Sequence, residues 1–277
     1  MSRIKQGWAL TKKSWGLLRS HRELFRFPIY GALTGIVVVV VTVGPGLYLI
    51  DDGQRVVGGV LTAIGLYLSS FIVVYFGVAL AATADAIFHG RDATTADGFA
   101  VARERLGAIA GWAAVAALVG TVISLLQQSG SIGEAIIGSL VGAAWSLITF
   151  LAVPVIAFEG TGPWATLKRS THLFKERWAG QVTGNVAIGG IVGLLGVLPA
   201  IGLIAVGAYL WVSDDSIDLA VAAVLIVVGV IGLVISMLII QAMRGVFGVA
   251  LYRFASTGEV ASGFTEADLN SAVRTKS

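Results

Sequence analysis

Apolar residues run almost unbroken through six stretches of the chain, at about 28–50, 56–84, 107–127, 134–157, 181–212 and 218–243. Crossing a hydrocarbon core of about 30 Å takes roughly 20 apolar residues, so each stretch is predicted to be a transmembrane helix. The separators are of two kinds. DDGQR (51–55), QSGSIG (128–133) and SDDSID (213–218) are short and neutral or acidic, whereas 1–27, 85–106, 158–180 and 244–277 are longer and basic. The expected fold is all-α: a single transmembrane domain over 1–277 with six spans, 252–277 forming a polar tail. The stretch 181–212 is long for one crossing and short for two, so it is either one span kinked at Pro199 or a broken helix. GPG at 44–46 is expected to interrupt the outer end of the first span.

A second pattern repeats three times. WALTKKSWGLL (8–18), FAVARERLGAI (99–109) and WATLKRSTHLF (164–174) align without gaps, each leading into a helical hairpin with a short turn. FGVAL occurs at 76–80 and again at 247–251, and FLAVP (150–154) holds the related place near the end of the fourth span. Three parallel pseudo-repeats are expected, at about 1–84, 85–157 and 158–251, each an amphipathic interfacial helix plus a hairpin. Repeats that all start on one side are related by an axis along the membrane normal, which disfavours an inverted-repeat transporter. The tail FTEADLNSAV resembles a fourth opening element, where Thr265 and Asp268 are placed for a capping box.

On a helix, Trp164, Leu167, Thr171, Phe174 and Trp178 share one stripe while Lys168, His172, Lys175 and Glu176 turn away. Trp8, Thr11, Trp15 and Leu18 repeat the spacing, as do Phe99, Ala102, Leu106 and Ile109. Such helices suit the membrane interface, with aromatics at headgroup level and cations towards water or phosphate. The expected contacts to anionic lipid headgroups or to a partner are Trp8, Lys12, Lys13, Arg103, Arg105, Trp164, Lys168, Arg169 and Trp178.

Composition agrees. Hydrophobic residues make up 56% of the chain and charged ones only 13%, with a mean hydropathy of +0.88, too apolar for a soluble domain of this length. Of the 19 Lys and Arg residues, all but Arg55 fall in the longer separators, which places both termini in the cytoplasm by the positive-inside rule. A net charge of +3 spread beside membrane spans is no nucleic-acid signal. No cleavable leader is expected, since mostly polar residues precede the first apolar run. The absence of cysteine excludes disulfides and thiolate chemistry.

Three stretches, GWALTKKSWGLLRSHRELFRFP, the join FGVAL…HGRDATTADGFAVAR, and VPVIAFEGTGPWATLKRS, resemble a family of prokaryotic six-span membrane proteins of unknown function. A looser similarity runs to the membrane domain attached to some glycerophosphodiester phosphodiesterases, whose catalytic domain has no counterpart here. The resemblance implies a fold and a cell-membrane address. It supplies no catalytic residue.

Candidate chemistry is sparse. The middle of every predicted span lacks ionisable side chains, which transporters and pumps usually place there. Asp85, Glu159 and Arg244 fall at span ends and are expected to cap them. His21, His89 and His172 occupy inequivalent repeat positions, and none is expected to pair at i, i+4 with a carboxylate suited to a metal. No Walker A, GxSxG or HExxH motif is present. Neither a cofactor nor a metal is expected. The glycine pairs 31/35, 107/111, 138/142, 180/184 and 189/193 favour close helix contacts, within the chain or between copies.

The expected function is therefore a non-enzymatic membrane scaffold or accessory subunit with a protein partner or a homo-oligomeric state. The alternative is a carrier or flippase for a lipid or apolar solute, framed by Lys12, Arg103 and Lys168. An enzyme acting on lipid headgroups would need Asp85, Glu159 and a histidine gathered at one face.

Overall fold

A computed structural model of the chain describes residues 13–16, 18–128, 132–178, 193–212, 216–266 and 269. It is all-α, with no strand among the described residues. The helices are α1 (Arg22–Asp51), α2 (Arg55–Phe88), α3 (Thr95–Glu104), α4 (Leu106–Gln127), α5 (Ile132–Ile148), α6 (Ala152–Glu159), α7 (Pro163–Trp178), α8 (Leu198–Val212) and α9 (Ser216–Thr257). Six stretches are long and apolar enough to cross a membrane: α1, α2, α4, Ile136–Glu159 in the α5–α6 run, Leu195–Val212, which extends α8 at its start, and Leu219–Thr257 of α9. Between 6% and 33% of the most apolar window of each is buried by the protein itself. Surfaces that are both this apolar and this uncovered need lipid as their solvent.

Around the GPG at 44–46 the first span is locally irregular, as expected, and two other span details differ from the sequence expectation. A π-helical segment at Val39–Val43 absorbs the missing Pro45 donor, and the helix runs on to Asp51. The fourth span contains a turn at 149–151, where Pro154 withholds the amide that would bond Phe150. Ser170 of α7 then donates to the exposed Ile148 carbonyl at 2.5 Å. The last span was expected to end near 243 but remains helical to Thr257, so Arg244 is an exposed mid-helix residue and not a cap. Of the stretch 181–212, Pro199 follows closely on a π-helical segment at Gly193–Val197, and the helix continues past it to Val212. The remainder of that question lies outside the described residues.

Two compact units divide the chain: Arg22–Ala179 with Gly245–Ser262, and Met1–His21 with Gly180–Arg244 and Gly263–Ser277. In the second of these, α8 and the first part of α9 pack through glycine. A Cβ on Gly207 would stand 2.9 Å from the Ala222 carbonyl, and one on Gly229 2.8 Å from that of Ala200.

The larger unit holds the candidate site. Its burial is uneven. Most buried residues of α2 fall between Val74 and Ile87, and they meet Leu151, Val155 and Ile156 and the buried run Val246–Ala250 of α9 in one core. Both FGVAL sequences lie here, and Leu80 of the first packs on Gly245 just before the second. Phe99 anchors α3 to the same region through ring contacts with Phe27, Tyr30, Tyr75 and Phe76, at centroid distances of 5.3–6.4 Å. At 34 residues α2 is about 51 Å long, well beyond a hydrocarbon core of about 30 Å. At least one of its ends therefore extends beyond such a core.

The second copy of the opening pattern does not form one helix. α3 ends at Glu104, Arg105 adopts φ −101° and ψ 12°, and α4 starts at Leu106. Phe99 and Ala102 thus belong to one helix, and Leu106 and Ile109 to the next.

Candidate functional site

The charged side chains at this end of the larger unit come from four helices. Asp85, 5% exposed, ends the buried face of α2. Arg253 of α9 grips it with both prongs, Nε to Oδ1 at 2.6 Å and Nη2 to Oδ2 at 2.7 Å. This bidentate geometry is the strongest form of the pair. The same guanidinium lies 4.9 Å from the centroid of the Phe158 ring, and Phe158 leans on Tyr252 at 5.2 Å.

Glu159, at the end of α6, forms the second node. Tyr252 donates its hydroxyl to Glu159 Oε1 at 2.9 Å, and Arg169 of α7 donates Nε to the same oxygen at 2.8 Å. That hydrogen bond holds the Arg169 guanidinium above its already high ordinary pKa, against the opposing effect of burial. Adjacent residues of α9 thus fasten two carboxylates on two other helices. Asp85 and Glu159 are long-range ties and not the local caps expected from their positions.

A histidine joins the first node. His89 Nδ1 lies 2.7 Å from the Asp85 carbonyl oxygen and 3.7 Å from its carboxylate, while Nε2 stands 3.2 Å from Glu259 Oε1. His172 pairs with Glu176 at 3.2 Å. Two of the three histidines therefore do have a carboxylate four residues away, contrary to the sequence expectation. Among the described residues, no three His, Asp or Glu side chains converge as a metal site would require.

Beside these nodes opens a cavity of about 590 Å³. Its charged lining is Asp85, Arg91, Asp97, Glu104, Arg105, Arg169 and Arg253, beside apolar Ala82, Ala86, Ala157 and Phe158. Asp97 is committed elsewhere: with Thr94 it forms a capping box at the start of α3. The Thr94 amide and hydroxyl donate to its carboxylate at 2.9 and 2.8 Å, which holds Asp97 below its ordinary pKa. Arg91 reaches Asp85 only at 3.8 Å. Arg105 makes no side-chain hydrogen bond or ion pair among the described residues, although its Nε is buried.

Of the headgroup contacts expected from sequence, Arg105 and Arg169 meet at this cavity. Arg103, Lys168 and Trp164 are exposed and do not line it. Lys13 is half-buried in the other unit. Trp8, Lys12 and the Trp178 side chain lie outside the described residues, as does Asp268 of the expected tail cap. The sequence reading missed Arg253, Tyr252 and Arg91, because a lone arginine near a span end reads as a topology signal. The capping box was missed too, although Thr94 followed by Asp97 three residues later carries it.

Comparison with curated proteins and with solved structures finds no match, and the looser likeness to the membrane domain of glycerophosphodiester phosphodiesterases is not among the findings. Residues 56–264, well over half of the 277, match a family of unknown function. With its six apolar helices the chain is thus a membrane-type member of that family, DUF6159.

Proposed function

We propose that the protein is a non-enzymatic scaffold or accessory subunit of the prokaryotic cell membrane, with both termini cytoplasmic and its three hairpin units arranged as parallel repeats. One observation carries this reading. The two carboxylates with the best claim to chemistry, Asp85 and Glu159, are each paired with an arginine and used to tie helices together. Side chains committed to a fixed frame suit a protein that presents surfaces, and the uncovered faces of its spans offer area for a partner or a second copy. Affinity purification in mild detergent is expected to recover a stoichiometric partner or a defined homo-oligomer. Recovery as a lone monomer that moves a solute across liposomes would overturn the reading.

A second reading has its own observation. Between α2 and α4 lies a lateral groove of about 280 Å³ lined by Ser69, Ser70, Thr121 and Ser124 among apolar residues, and the Ser69 hydroxyl is buried without a partner. A hydroxyl-lined groove opening sideways from a span suits a carrier or flippase for a lipid. Transbilayer movement of a fluorescent lipid in proteoliposomes, abolished by Ser69→Leu, would favour it over the scaffold.

A further inference from the structure

We infer that the cavity beside Arg105 is a binding site for a phosphate-type oxyanion, with Arg105 as its anchoring group. The inference holds for a scaffold and for a carrier alike.

The argument rests on which charges are already used. Asp85 is matched by Arg253, and Glu159 by Arg169 and Tyr252. Asp97 is occupied by its own helix cap, and Glu104, on the exposed rim, makes no ion pair with Arg105. What remains are the guanidinium of Arg105, Arg91 held only loosely at 3.8 Å from Asp85, and the Glu104 carboxylate on the exposed rim, so the unmatched charge inside the rim is cationic. A guanidinium does not lose its proton in a protein, so a partly buried one without a partner needs an anion or trapped water.

Arg105 is also held in place. It sits at the break between α3 and α4, and its side chain lies against Gly160, which adopts φ +62° at the end of α6. A Cβ on Gly160 would stand 2.8 Å from Arg105 Cζ. A Cβ there would displace the guanidinium from this bed, and the left-handed backbone itself favours glycine. A planar guanidinium backed by Gly160 and lining the cavity can offer N–H groups to phosphate oxygens. The volume admits a phosphate with part of an attached alcohol. The level, at the shared polar end of α2, α6 and α9, is reached both by lipid headgroups and by ions from the water.

The test uses the full-length protein. Inorganic phosphate is titrated by isothermal calorimetry in a zwitterionic nanodisc, and retained phosphatidylglycerol is counted by native mass spectrometry from mixed bilayers. Arg105→Gln is expected to weaken whichever binding is seen by about tenfold or more, the loss of one charge-assisted pair, and Lys168→Gln is expected to leave it unchanged. Phosphate binding assigns a free anion; lipid retention alone assigns a headgroup. Should Arg105→Gln fail to fold, Arg91→Gln at the exposed edge carries the same expectation in smaller measure. Absence of both bindings in the wild-type protein, or wild-type binding in a folded Arg105→Gln, overturns the inference.

Discussion

At the scale of single residues, Asp85 shows how a sequence position and a structural role come apart. It lies three residues before the end of a long apolar helix, and its side chain is 7% exposed against 24% for Arg253. Removing Arg253 leaves a buried carboxylate without its cation. Arg253→Ala is expected to destabilise the larger unit by about 3–5 kcal/mol, read as a fall in the detergent-solubilised melting transition. Arg253→Ala combined with Asp85→Ala is expected to recover most of that loss, because no charge is then stranded. The apolar pattern made the depth of Asp85 legible. The identity of its partner, 168 residues further on, was not, because hydropathy along a chain says nothing about which helices become neighbours.

At the scale of elements, close approach depends on what faces a glycine and not on its spacing from another. Gly31 and Gly35 share a stripe, yet Gly35 has open space and Gly31 only ordinary contact with Phe76. The tight seam between α1 and α2 falls at Gly46 and Gly58, where a Cβ on Gly58 would stand 2.7 Å from the Ile50 nitrogen. Gly58→Val is expected to cost about 1–3 kcal/mol by overpacking and to splay this hairpin, visible as a loss of crosslinking between cysteines placed at its ends. The pair Gly138/Gly142 does meet α4, at Gln127 and Ile123. For α3 the relevant lever is acid. A carboxylate held below its ordinary pKa stabilises the fold at pH above the unfolded value, and that contribution fades as pH falls through the folded one. Amide exchange of α3 is expected to quicken below about pH 4, and Thr94→Ala is expected to remove this pH dependence.

At the scale of the whole molecule, six spans were legible because lipid imposes a length and a composition on anything that crosses it. The gathering of charge at the ends of α2, α6, α7 and α9 was not, since it arises from contacts between segments far apart in sequence. The side assignment follows from the distribution of Lys and Arg, and the chain suits a direct test because it contains no cysteine. With single cysteines introduced at Gln54 and Asp92, both exposed, a membrane-impermeant thiol reagent added to intact cells is expected to label the first and spare the second. The reverse pattern would invert the proposed orientation.

The two ties made by Tyr252 and Arg253 also set an order of events. A ribosome delivers the amino-terminal helices first, so Asp85 is made long before Arg253, whereas Glu159 gains Arg169 ten residues later and waits only for the Tyr252 hydroxyl. Until the final turns of α9 emerge, the nascent protein carries the Asp85 carboxylate without its bidentate partner and Glu159 without its tie to α9. A product truncated before residue 252 contains five spans and nearly all of the sixth, yet lacks both fasteners, and is expected to be cleared by membrane proteases while the finished chain persists. Completion of synthesis and closure of the fold are thereby made the same event.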